Sequence, residues 1–81
     1  MEAKIREVIG THLLDESGRK LLATLADDDS LIENGLLDSM GMAQLTEKLE
    51  KELDVVFDPL DVSIENLESV DKIVALVKSK Q

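Results

Sequence analysis

Asp38-Ser39-Met40-Gly41-Met42-Ala43-Gln44-Leu45-Thr46-Glu47-Lys48-Leu49-Glu50-Lys51-Glu52-Leu53 gives the clearest helical signal in the chain. Met42, Leu45, Leu49 and Leu53 recur at steps of three, four and four, which stacks them on one face of a helix and marks that face as core. Asp38 suits the position before a helix, because its carboxylate can accept the free N–H groups of the first turn. The spacing therefore predicts a helix from Ser39 to Leu53. On another side of the same helix Ser39, Ala43, Glu47 and Glu50 follow one another at steps of four, four and three, so that an acidic stripe descends from the serine. Met40, Gln44, Lys48 and Lys51 form a neighbouring mixed strip, with its positive charge toward the helix end, where it complements the macrodipole.

Upstream, Ile5, Val8, Ile9 and Leu13 make one face of an amphipathic helix from Glu2 to about Leu14. Gly10 inside it costs about 1 kcal/mol relative to alanine. His12, the only histidine, lies at the edge of that stripe and reads as a surface or packing residue, since ligation or catalysis would need partners. Residues 15 to 37 read as a long ordered loop: Ser17-Gly18, Asp27-Asp28-Asp29-Ser30 and Asn34-Gly35 are turn formers around Leu21, Leu22 and Leu25. One or two helical turns between residues 18 and 25 are left open, because so long a segment is uncommon without packing of its own.

Downstream, Asp58-Pro59 stops any helix, because proline disfavours helical geometry in the residue before it. Ser63 can cap a short turn from Ile64 to Leu67, and Ser69 a last helix with Val70, Ile73, Val74 and Val77 on its apolar face. The expectation is an all-α fold: four helical segments in a bundle, with a long first loop and a short third helix, forming one domain over residues 1–81.

Composition narrows the function. Eighteen acidic against nine basic residues give a formal charge of −9, which opposes a phosphate backbone and argues against nucleic acid as a partner. Aromatic residues make up 1% of the chain, so the core must be aliphatic. With no cysteine there is no disulfide framework and no thiolate chemistry. One histidine cannot build a Ser-His-Asp triad or a zinc site, and neither acidic stretch has the alternating oxygen ligands of a calcium loop. No metal site and no catalytic residue is expected. No run approaches the length of a membrane span and no apolar leader opens the chain, so a cytoplasmic, monomeric protein is expected.

What remains is Ser39, at the start of the best helix, where free N–H groups and the positive dipole end suit a phosphate ester. The stretch Leu31-Ile32-Glu33-Asn34-Gly35-Leu36-Leu37-Asp38-Ser39-Met40-Gly41 resembles the attachment segment of acyl and peptidyl carrier proteins. Val56-Phe57-Asp58-Pro59-Leu60-Asp61 resembles the connector after that family's second helix. Ile64-Glu65-Asn66-Leu67-Glu68-Ser69-Val70 resembles its short third helix and the start of the fourth.

The resemblance implies that Ser39, with Asp38 beside it, takes a covalent 4'-phosphopantetheine from a Mg²⁺-dependent phosphopantetheinyl transferase. It implies a carrier rather than an enzyme, holding acyl or aminoacyl thioesters for fatty acid, polyketide, nonribosomal peptide or related biosynthesis. Its partners would be a loading ligase and downstream synthase or transferase enzymes; separately, spacing and charge on the serine's side of the helix make Met40, Ala43, Gln44, Glu47 and Glu50 the expected recognition face for a basic partner surface.

Three departures bear on cargo, since fatty-acid carriers usually place acidic residues where Gly41 and Gln44 stand and an apolar one at Glu47. A charge at the mouth of an acyl cleft disfavours a long fatty chain. The run Gly35-Leu36-Leu37-Asp38-Ser39-Met40-Gly41 looks closer to stand-alone aminoacyl carriers, including D-alanyl carriers. The competing reading is an unmodified acidic helical adaptor that binds a basic partner and uses Ser39 only to start a helix.

Overall fold

In a computed structural model covering Met1–Gln81, α1 is Glu2–His12, α2 is Glu16–Thr24 and α3 is Ser39–Leu53. A 3-10 turn, Pro59–Asp61, then leads to α4, Ile64–Leu67, and α5, Val70–Lys80. The all-α class expected from the sequence is what the fold shows, and α3, α4 and α5 begin and end where their caps and apolar spacing put them. Asp38, Ser63 and Ser69 each cap as expected, accepting from the N–H of Gly41, Asn66 and Lys72.

Two features differ from the sequence expectation. First, α2 is a full nine-residue helix where a loop with at most two helical turns was expected, so the bundle has five helices rather than four. Asp15 adopts extended geometry and its carboxylate accepts the Gly18 N–H at 2.8 Å, which makes Ser17-Gly18 part of a first helical turn instead of a bend. Second, α1 stops at His12, two residues early. The Arg19 guanidinium donates to the carbonyl of Gly10 in the last turn of α1 at 3.2 Å and to that of Leu14, beyond the helix, at 2.7 Å. The same side chain lies over the buried Gly10, at ordinary contact distance from where a Cβ would stand.

One cluster of sixteen buried aliphatic residues holds the helices together. Ile5, Val8 and Ile9 come from α1, Leu22 from α2, Met42, Leu45 and Leu49 from α3, Leu67 from α4, and Val70, Ile73, Val74, Leu76 and Val77 from α5. Helix α1 packs on α2, α3 and α5, and α4 on α5. The radius of gyration, 11.3 Å, is close to the ~12 Å of a compact chain of this length.

The segment from Leu25 to Leu37 is irregular but tied at several points. Arg6 on α1 donates to the carbonyls of Leu22 and Leu25 and to the Asp27 carboxylate, at 2.7 to 3.1 Å. Leu31 N–H donates to the Glu68 carbonyl at 2.7 Å, and Asp71 N–H to the Asp27 carbonyl at 2.9 Å, which fastens the segment to the start of α5. The acidic run that composition alone would assign to solubility thus contains a structural residue, Asp27.

Candidate functional site

The start of α3 is positioned from below by its own sequence. Leu31 and Leu37 are buried and Leu36 N–H closes a turn onto the Leu31 carbonyl at 2.9 Å, with Gly35 at φ 76°, a left-handed geometry that glycine adopts without strain. This fixes the direction from which the chain enters the helix. Asp38 then turns extended (φ −126°, ψ −173°), its carboxylate accepts Gly41 N–H at 2.7 Å, and its carbonyl accepts Met42 N–H at 2.8 Å. Asp38 therefore acts here through the helix it caps.

Ser39 is the first helical residue and is exposed. Its hydroxyl takes no part in the side-chain hydrogen bonds around it, which run from Asp38 to Gly41 and from Thr46 to the Ala43 carbonyl. The N–H groups of Ser39 and Met40 are the unpaired surplus of a helix start, so an oxygen-rich group esterified to the hydroxyl meets donors and the positive end of the dipole.

Of the five residues expected on the recognition face, Met40, Ala43, Gln44 and Glu47 are exposed on the first three turns of α3, and Met40 keeps 71% of its surface in solvent. Glu47 lies in solvent beside Lys51, at 3.7 Å. Glu50 is different: it is half-buried, and its carboxylate accepts Phe57 N–H at 2.9 Å, which closes the turn after α3. The acidic stripe below the serine is thus shorter than its spacing suggests, because its last member is engaged within the chain.

Nothing in this region resembles a catalytic apparatus. His12 contacts Glu52 at 3.4 Å, and no group of three or more potential metal ligands forms. The chain's two shifted titrations lie elsewhere. The Lys80 ammonium, 2.8 Å from Asp61, holds that carboxyl below its ordinary range, helped by the Asp58 N–H, and Asp61 in turn raises the Lys80 ammonium. This pair fastens the connector after α3 to the end of α5.

The sequence reading did not anticipate the surroundings of Ser39 on the side of α2. There Leu13, Leu14 and Leu36, half-buried, border an open groove next to the serine, and Asp15 and Gly18 of the second helix start line it as well. The available signal was the repeated spacing Asp15-x-x-Gly18 and Asp38-x-x-Gly41.

A family model described as the phosphopantetheine attachment site matches residues 4–77, all of the chain but its ends. No curated protein and no solved structure gives a significant match.

Proposed function

The chain belongs to the phosphopantetheine-attachment family, whose members carry that group covalently and are carriers rather than catalysts, and from this premise we propose that Ser39 is the attachment residue. The observation behind the assignment is a free, exposed hydroxyl on the first residue of a capped fifteen-residue helix, next to unpaired backbone N–H groups. The group supplies a single thiol at the end of a flexible arm, and this chain has no cysteine of its own. No histidine or lysine stands beside Ser39 in sequence and the Asp38 carboxylate is engaged in the cap, so the hydroxyl is an acceptor that a separate transferase must activate.

The proposed cargo is an acyl or aminoacyl thioester that is short or polar rather than a long aliphatic chain. The support for this is the sequence resemblance of Gly35–Gly41 to stand-alone aminoacyl carriers, since Glu47 itself lies in solvent beside Lys51. Met40, Ala43, Gln44 and Glu47 form the proposed face for basic partner surfaces, among them the transferase and the loading ligase, and the carrier acts as a cytoplasmic monomer.

Incubation of the unmodified protein with coenzyme A, Mg²⁺ and a broad-specificity phosphopantetheinyl transferase is expected to add the mass of one arm. Ser39→Ala is expected to add none. Modification of Ser39→Ala as complete as wild type would overturn the assignment, and a wild-type chain that stays unmodified would favour the adaptor reading.

A further inference from the structure

The groove beside Ser39 has a volume of about 460 Å³, within the range typical of small-molecule sites. It lies between the corner that joins α1 to α2 and the first turns of α3, and the two residues flanking the serine, Asp38 and Met40, both line it. Leu13, Leu14 and Leu36 supply half-buried apolar surface, while Gln44 brings a side-chain amide with donors and an acceptor. Two glycines complete the shape. Gly18 and Gly41 occupy the same third position of α2 and α3, each donating its N–H to an Asp cap. A Cβ on Gly41 would come within 3.2 Å of both the Asp38 carboxylate and Leu37, and one on Gly18 within 3.1 Å of Leu14. A side chain at either position would displace a neighbour that lines the groove.

We propose that this groove seats the pantetheine portion of the arm while the carrier is idle, a proposal that rests on attachment at Ser39. Pantetheine is uncharged and alternates a geminal dimethyl group and methylene spacers with a hydroxyl and two amides. A leucine-lined groove next to one amide side chain matches that alternation. The cap carboxylates of Asp15 and Asp38 each use one oxygen for a glycine N–H, which leaves the other free to accept an amide N–H or a hydroxyl. Those two carboxylates also repel the phosphate, which stays outside at the helix start, and they disfavour a carboxylated acyl group in the groove. The seat thus takes a neutral or ammonium-bearing arm; it shares Met40 and Gln44 with the proposed partner face and leaves Ala43 and Glu47 uncovered.

The test compares amide spectra of isotopically labelled protein before and after modification, with intact mass as the check that the arm is present. The expected result is shifts at Leu14, Gly18, Leu36 and Gln44, and proton contacts between the geminal methyls of the arm and both Leu14 and Leu36, so that each of the two variants is read at the leucine it leaves in place. Leu14→Gln turns one wall polar and is expected to abolish these contacts at complete modification. Leu36→Gln, outside any helix, gives the same reading if the first variant folds poorly. Shifts confined to Asp38–Gly41, arm contacts at Ile64 or Leu67, or unchanged contacts in both variants would each overturn the seat while leaving the attachment intact. A wild-type mass without the arm would instead remove the attachment reading, and the seat with it.

Discussion

Helices α2 and α3 begin with the same device, yet they stand differently in the molecule. In both, an extended Asp accepts the N–H of a glycine three residues on, at 2.8 Å from Asp15 and 2.7 Å from Asp38. Helix α3 continues for fifteen residues and buries Met42, Leu45, Thr46 and Leu49, whereas α2 ends after nine and buries only Leu22. At α3 the first helical residue is a serine with a free hydroxyl; at α2 it is Glu16, paired with Lys20 at 3.4 Å. Capping chemistry alone therefore starts a helix but does not define a site. The site proposed at Ser39 stands, in addition, on a helix anchored by four buried side chains.

The largest effect that would sharpen this contrast is in the core. Leu49 is fully buried, and Leu49→Ala is expected to cost about 2 to 5 kcal/mol, a large share of the total stability of a small domain. Leu22→Ala should fall toward the lower end of that range, because α2 contributes no other buried side chain. Denaturant unfolding followed by circular dichroism measures both. Equal midpoints for the two variants would mean that α2 is as deeply anchored as α3.

The caps come next. Asp15→Ala and Asp38→Ala are each expected to cost ~1 kcal/mol, within the 0.5 to 2 range of lost N-caps. Only Asp38→Ala should also slow modification by the transferase, because only it loosens the turn that presents Ser39. If both variants are modified at the wild-type rate, the cap is structural alone.

A smaller effect separates caps from charge. The Asp61 carboxyl is held low by Lys80, so its contribution to stability is present above the ordinary aspartate pKa, about 3.9, and is lost as pH falls through the lower folded value. The Lys80 ammonium is raised by Asp61, so its contribution is present below about 10.4 and is lost as pH rises through the higher folded value. The wild-type unfolding midpoint is therefore expected to exceed that of Lys80→Met by a constant amount between about pH 5 and 9. The gap should close toward either extreme, and a gap that widens on acidification would contradict the pairing.

The smallest change in stability is expected on the exposed face of α3. Glu47→Lys should leave the unfolding midpoint unchanged and slow modification at low salt, with the difference fading as salt is added. Glu50→Lys should lower the midpoint, since it removes the acceptor of Phe57 N–H. Initial rates at two ionic strengths check the first statement and a denaturant titration the second. Modification of Glu47→Lys as fast as wild type at low salt would remove this residue from the recognition face.

The parts of the molecule legible in the sequence are those governed by local rules. Helix α3 was readable because its core residues repeat at helical spacing behind an Asp, and α4 and α5 because Ser63 and Ser69 precede short apolar patterns. The family was readable because the residues from Leu31 to Gly41 resemble its attachment segment. Helix α2 was not, since Gly18 and Ser17 favour turns and a single buried leucine leaves no periodic trace.

By itself, then, the sequence determined the helical class, the aliphatic core, the helix that presents Ser39 and the absence of any thiol, because spacing and capping act within a few residues. Tertiary structure alone decided that Arg19 reaches back to the carbonyls of Gly10 and Leu14 and that the Glu50 carboxylate accepts the Phe57 N–H of the connector. It also decided that Asp27 is a partner of Arg6 and that two glycines 23 positions apart border one groove. Each of these depends on contacts between residues distant in the chain, and such contacts form only once the apolar faces of α1, α3 and α5 have packed and brought those residues together.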